Sequence, residues 1–278
     1  MYRLIAADLD EMLLDSGHHV PERVRAAISA ARELGVRFVP ATGRPFASVA
    51  GTLDELGLSG MPGEYVVSFN GGVITENSRP EPLTSCGLDA QRAAELYAFG
   101  VRRGFCMHLY TLDHVYVRNY LSEERAYIGG RMNIVETDEK DLGFLARTGE
   151  RVVKLLFMSL DMDLLRSTAD ELAGLGLTEG LEVVYSSNRY LEFNAPGINK
   201  GAGLLELARM LGIPPEETMA IGDSSNDISM IRAAGLGVAV ANATDETKAA
   251  ADYVCRDNND AGGVAEAIEE FVLRARRA

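Results

Sequence analysis

Positive charge is scarce in this sequence. Its 278 residues hold 27 lysines and arginines against 41 aspartates and glutamates, a formal net charge of −14. A protein that grips the nucleic-acid backbone needs a basic face, so the balance argues against that class of partner. Cysteine is sparse too. Cys86, Cys106 and Cys255 are an odd number, widely spaced and without a C-x-x-C pair. They read as reduced core thiols, not as a disulfide framework. The four histidines (His18, His19, His108, His114) lack zinc-site spacing. Long apolar runs are missing as well: residues 4–7 are too few for a secretion signal, and nothing approaches the ~18 apolar residues of a membrane span. The expectation is a cytoplasmic monomer or small homo-oligomer, with no membrane or nucleic-acid partner.

What is present is ample core material. Hydrophobic residues make up 47% and charged residues 24%, an ordinary globular composition, and the length suits about two domains. The first eighty residues alternate strand and helix. "YRLIAAD" reads as a strand buried on both faces, and "PERVRAAISAARELG" puts Val24, Ala27, Ile28, Ala31 and Leu34 on one helical stripe. "VRFVPATG", "FASVAGTLDELGL" and "EYVVSFNGG" continue as strand, helix and strand. That rhythm predicts right-handed βαβ units and a parallel sheet. From about 84 to 190 it gives way to paired strands among helices, including a hairpin at "FCMHLYT" and "HVYVRN". The βα rhythm returns after "YLEFNAPG". The fold expected is α/β, a Rossmann-like parallel-sheet core (residues 1–83 and 191–278) interrupted by an inserted α+β domain (84–190).

Polar clusters fall where the core strands end: Asp8 and Asp10, then Thr42-Gly43-Arg44, then "GDSSND" at 222–227, with Lys200-Gly201 opening a helix. Ligands of open α/β sheets bind beyond the carboxyl ends of the strands, so all four clusters belong on one rim. Four carboxylates there (Asp8, Asp10, Asp223, Asp227) need cations. Hard oxygen ligands suit Mg²⁺. With Lys200, the Thr42 hydroxyl and the Gly43 amide, they describe a phosphate site containing a nucleophile.

The ordered set "DLDEMLL…ATGR…NKG…GDSSND" resembles the four motifs of the haloacid dehalogenase-like phosphohydrolase superfamily, and the position and size of the insert resemble its Cof-type branch. "SFNGG", "GVAVANATDETKAAADYV" and "DNNDAGGVAEAI" are similar to that branch too. The resemblance implies a fold with a cap domain and a Mg²⁺-dependent phosphatase acting on small phosphorylated metabolites, sugar phosphates or phosphate-bearing cofactors. It implies that Asp8 attacks phosphorus to form an aspartyl-phosphate and that Asp10 protonates the leaving alkoxide, then activates water. It further implies Mg²⁺ on an Asp8 oxygen, the Asp10 carbonyl and Asp223, with Asp227 holding metal-bound waters, Asn226 nearby, and Thr42 and Lys200 on the phosphoryl oxygens.

One departure stands out. The first motif commonly runs D-x-D-G-T, and this chain has Glu11 and Met12 instead. Another residue can replace the glycine if the backbone stays at negative φ. Losing the threonine hydroxyl costs about 0.5–1.5 kcal/mol. A Glu11 carboxylate facing phosphate at ~8 Å would add about 2 kcal/mol of repulsion at an effective dielectric near 20. Attenuation is expected, not inactivity, and restoring both residues should raise turnover by up to about tenfold. Glu11 is expected to turn outward and Asp15 to serve the following loop.

Other readings stay open. Arg44 could contact phosphate, contact the cap, or stand as a solvated charge, and Asn70 is either a turn residue or a substrate contact. His108, Tyr110, Tyr116, Arg118 and Arg189 could face substrate, although strand alternation favours cross-strand surface pairs. A phosphomutase would use the same motifs, and so would a weakly active protein that binds a phosphorylated ligand.

Overall fold

The computed structural model describes residues 1–79, 81–130 and 132–274. The chain begins with β1 (Leu4–Ala7), α1 (Glu22–Glu33), β2 (Arg37–Pro40), α2 (Ala50–Glu55), β3 (Tyr65–Ser68), β4 (Val73–Glu76) and β5 (Thr84–Ser85). It continues with α3 (Ala90–Arg103), β6 (Cys106–Tyr110), β7 (Val115–Arg118), α4 (Ser122–Ile128), β8 (Ile134–Glu136) and α5 (Leu145–Thr148). Then come β9 (Lys154–Met158), α6 (Met162–Gly174), β10 (Glu182–Ser186) and β11 (Tyr190–Asn194). The last stretch holds α7 (Lys200–Met210), β12 (Thr218–Gly222), α8 (Ile228–Ala233), β13 (Leu236–Ala239), α9 (Asp245–Ala250), β14 (Tyr253–Val254) and α10 (Gly263–Ile268). Two compact units result. One joins the residues up to Thr84 with those from Asn199 onward, and the other is Ser85–Ile198.

The first unit is built on a five-stranded sheet of order β14-β13-β12-β1-β2, parallel throughout. β1 lies inside it and is buried on both faces: Ile5 and Ala7 join one apolar cluster, Leu4 and Ala6 another. That is why its sequence is a continuous apolar run. The α1 stripe of Val24, Ala27, Ile28 and Ala31 is buried against the first cluster. Each such side chain contributes about 1.5–3 kcal/mol when fully buried. The third strand behaves differently from the sequence reading. β3 touches the end of β2 through one parallel bridge, Ala41 to Val67, and pairs antiparallel with β4, a strand that reading had not foreseen.

The second unit carries a six-stranded sheet of order β10-β11-β9-β6-β7-β8, antiparallel except for β7 beside β8. Because β11 pairs with β9 and β10, this sheet runs past residue 190, where the sequence reading ended the insert. One face is apolar: Met107, Leu109, Leu155, Phe157, Leu191 and Phe193 cluster with residues of α3 and α6. The opposite set includes His108, Lys154, Tyr190 and Glu192, all buried. Glu124 of α4 accepts from Arg189 Nη1 at 3.0 Å and from the Tyr190 hydroxyl, and Lys154 Nζ lies 2.5 Å from Glu192 Oε2. His108 Nε2 is 3.3 Å from Glu124 Oε1 without hydrogen-bond geometry, and burial, then Lys154 and Arg189, push the imidazole down to about 3. His108 is therefore a neutral buried ring, not half of a surface pair. Tyr116 packs in the apolar cluster with its hydroxyl on Glu150, and Arg118 donates to the Glu139 carbonyl. Among the described residues, no helix is long and apolar enough to cross a membrane.

Candidate active site

Parallel register brings the chemistry together. Ala7 stands opposite Ile221 on one side and Pro40 on the other, so β1, β12 and β2 end side by side. The Asp8 N–H donates to the Ile221 carbonyl at 3.2 Å, and the Ala41 N–H donates to the Ala7 carbonyl at 2.8 Å. After β12 the chain turns tightly, because Gly222 has no side chain: a Cβ there would sit 2.3 Å from the Asp227 Cβ. Asp227 then reaches back, and its Oδ2 accepts from the Asp223 and Ser224 amides at 3.0 and 3.1 Å. With Ser224 it forms a capping box that satisfies the turn's free donors.

Lys200 opens α7, one residue after the cap Asn199, whose side chain accepts from the Ala202 N–H at 2.9 Å. Gly201 lets this helix approach the start of α8, since a Cβ would come within 2.4 Å of the Ser229 carbonyl oxygen. The lysine is consequently driven inside and is fully buried. Its Nζ lies 2.7 Å from Asp8 Oδ1 and 2.6 Å from Asp227 Oδ1. Burial works against the ammonium, but the attraction of Asp227 and Asp8 outweighs it and raises the pKa. A helix start is the unfavoured end for a cation in the field of the helix dipole. Two carboxylates explain its presence there.

One ammonium does not balance three acids. Asp8, Asp223 and Asp227 each offer a carboxylate oxygen within 4.8 Å of the others. Burial, then Asp227 and Asp8, pushes the Asp223 carboxyl up to about 10. Burial pushes Asp8 up to about 7 despite Lys200. Asp223 Oδ1 is buried without a hydrogen-bond partner. An orphaned oxygen in an oxygen-only cluster, where two buried acids lack the positive charge they need to ionise, fits a hard divalent cation.

The remaining expected residues divide. Arg44 directs its guanidinium at Asp10, with Nε 2.8 Å from Oδ2 and Nη2 on Oδ1. The Asp10 carboxylate is therefore held by Arg44 and stands outside the three-acid cluster. The Thr42 hydroxyl accepts from the Arg44 N–H at 3.1 Å across Gly43, and its carbonyl accepts from the Asn70 N–H at 3.0 Å. Asn70, at φ 55°, has its Oδ1 3.5 Å from Asn226 Nδ2, while Asn226 Oδ1 accepts from the Ser224 hydroxyl at 2.6 Å. A chain of contacts thus links the Thr42, Asn70 and Asp223–Asp227 loops.

The unusual pair resolves into two separate effects. Glu11 is exposed as expected, yet its backbone is left-handed, at φ 56°, so the condition of a negative φ under which another residue replaces the glycine freely is not met. Met12 is buried in the same apolar cluster as Leu9 and Leu13. Asp15 does serve the next loop, accepting from the Gly17 and His19 amides at 2.8 and 3.0 Å. A left-handed L-residue costs roughly 1–2 kcal/mol, partly offset because glycine loses more backbone entropy on folding. Glu11→Gly alone should therefore stabilise the protein by about 0.5–1 kcal/mol, read as a higher urea midpoint at unchanged slope. An unchanged midpoint would show that the turn is not strained. Met12→Thr empties core volume and should cost about 1–3 kcal/mol, so the double replacement is the wrong probe of the motif.

A parallel α/β sheet interrupted by an inserted unit, with three buried acids and a lysine at its strand ends, defines a class. The family model for haloacid dehalogenase-like hydrolases matches residues 5–268. YxeH of Bacillus subtilis is 34% identical over 278 residues, covering 98% of this chain and 99% of that protein. The 5-amino-6-(5-phospho-D-ribitylamino)uracil phosphatase YcsE of the same organism is 32% identical over 273 residues, covering 98% and 96%. Among solved structures, a haloacid dehalogenase-like hydrolase from Bacteroides thetaiotaomicron superposes with a TM-score of 0.82 at 33% identity, covering 97% of this chain and 99% of that one. The chain belongs to the haloacid dehalogenase-like hydrolases, as an enzyme of the phosphoric monoester hydrolase class.

The sequence reading gave no role to Asn242, Asn259 and Asp260, although it singled out the segments that hold them. Each makes a side-chain bond to the loop after β1.

Proposed function

We propose that this protein is a Mg²⁺-dependent phosphatase of small phosphorylated metabolites, working through an aspartyl-phosphate on Asp8. The observation that carries the reading is the buried cluster of Asp8, Asp223 and Asp227 around Lys200, with Asp223 Oδ1 unpartnered. Asp8 and Asp223 would hold the cation. Asp227 is already engaged, Oδ1 by Lys200 and Oδ2 by two amides, which suits it to orient the lysine and the loop. A bound divalent cation supplies neutralisation of the phosphoryl charge.

The chain's own residues do the rest. An Asp8 carboxylate oxygen attacks phosphorus as the bond to the leaving oxygen breaks. Lys200 orients that carboxylate and offers positive charge to the phosphoryl oxygens, with Thr42 and the Gly43 amide as further donors. Asp10 gives its proton to the leaving alkoxide, then takes one from the water that hydrolyses the acyl phosphate, and Asp8 is restored. Arg44 grips both Asp10 oxygens in this structure and must release one of them before Asp10 can carry the proton that it gives to the leaving oxygen. The inserted unit would act as a cap that reads the leaving group. A sugar phosphate or phosphate-bearing cofactor suits the reading, since one relative is named for a phosphorylated ribityl compound.

Release of inorganic phosphate from a panel of phosphorylated metabolites, with and without Mg²⁺, tests the proposal. Phosphate release that needs the metal supports it; no release from any member overturns it. Asp223→Asn should raise the Mg²⁺ concentration for half-maximal rate by at least about tenfold. An unchanged titration would put the metal elsewhere.

A further inference from the structure

The loop that carries Asp8 and Asp10 is held from outside by residues more than 200 positions away. Asn242 follows β13, and its Nδ2 donates to the Glu11 carbonyl at 2.7 Å. The same side chain accepts, through Oδ1, from the Asn259 N–H at 3.0 Å. Asn259 Nδ2 donates in turn to the Leu14 carbonyl at 3.0 Å, and Asn259 is buried. One residue on, the Asp260 carboxylate accepts from the Ser16 N–H at 2.7 Å and from its hydroxyl at 2.9 Å. Glu11, Leu14 and Ser16 are thus tied at three successive points.

The segment around Asn242 grips the second loop of the site too. The Val240 N–H donates to the Gly222 carbonyl at 3.3 Å, and the Thr244 N–H donates to the Asp223 carbonyl at 2.9 Å. One short strap, residues 240–244, therefore fixes the Asp8 loop and the Asp223 loop against each other. Its bond to Glu11 falls on the residue whose backbone is left-handed. With glutamate in place of glycine, that conformation is not the one the residue prefers. Methionine at 12 is buried in the apolar cluster and offers no hydroxyl to hold it.

We infer that Asn242 and Asn259 are positioning residues, a brace that keeps the Asp8–Asp10 loop in its working shape around the left-handed Glu11. The inference rests on the phosphatase reading above. Neither side chain touches reacting atoms. They act through Glu11 and Leu14, so their effect belongs in turnover more than in substrate binding.

The decisive experiment is a cycle between positions 242 and 11. Asn242→Ala in the parent background should lower kcat on p-nitrophenyl phosphate by about three- to tenfold with KM nearly unchanged. Amides of residues 11–16 should lose protection from hydrogen exchange in the same variant. In a Glu11→Gly background the same change should cost less than about twofold, because glycine holds the left-handed turn unaided. Asn242→Asp keeps the acceptor for Asn259 but not the donor to Glu11, and should follow the alanine variant in kcat. Equal losses in both backgrounds, or lost thermal stability with kcat unchanged, would overturn the inference. A parent protein that releases no phosphate would overturn the phosphatase reading and any positioning role with it. The exchange pattern would then report a structural tie alone.

Discussion

Asp8→Asn is expected to abolish phosphate release, by a factor of at least about a thousand, while the fold survives. The amide has nearly the size of the carboxylate and is a far weaker nucleophile. It can still lie against Lys200, whose Nζ is 2.7 Å from Asp8 Oδ1. Stability should not fall. Burial has already pushed the Asp8 carboxyl up to about 7, which means that the folded protein disfavours its charge. Such an acid gives up stability as pH rises from its ordinary range through the raised value, and a neutral amide removes that loss. Stopped turnover with an unchanged or higher thermal midpoint is the expected pair of results. Retained activity in the purified variant would exclude Asp8 as nucleophile.

Lys200→Met should be costly in both respects. The side chain is fully buried between Asp8 and Asp227, and methionine keeps most of its volume while deleting its charge. Two buried carboxylates then face each other without the ammonium. Breaking a buried pair in this way typically costs about 3–5 kcal/mol, visible as a large drop in denaturant midpoint. Turnover should fall by about 10²–10³, since the same ammonium is the fixed positive charge beside the nucleophile. Stability loss with turnover intact would reduce Lys200 to a structural counter-ion.

What could be read in advance follows from the range of the interactions involved. Asp8, Asp223 and Asp227 could be brought together in advance because parallel strands end side by side; any one of them alone would have read as a turn acid. Lys200 was visible as a cation at a helix start, an end that modestly disfavours it unless an anion lies near. The pairing of Arg44 with Asp10 was not, because 34 residues separate them and nothing local favours it over contact with phosphate. The left-handed backbone at Glu11 was hidden for a related reason. Glutamate gives no sign of positive φ, and the bond that accompanies it comes from Asn242. In the inserted unit, alternation put His108 on a definite face, but the residues that cover that face, Glu124 and Tyr190, come from α4 and β11. The β4 strand escaped because a four-residue run after two glycines looks like the tail of a turn.

The position of β1 also has a consequence for how the chain is made. It is an inner strand of its sheet, with Leu4 paired to Arg37 on one side and to Thr218 on the other. During synthesis its second edge waits for a partner more than 200 residues downstream. By contrast, β6 to β11 find all their sheet neighbours within Ser85–Ile198. The inserted sheet can close on the ribosome while β1 still lacks β12. Non-local strand pairing of this kind is slow and leaves an apolar edge open meanwhile. The nucleophile therefore sits on a segment that is translated well before the strand that completes its sheet. The centre that it belongs to does not exist in a nascent chain that stops short of β12 and the loop after it.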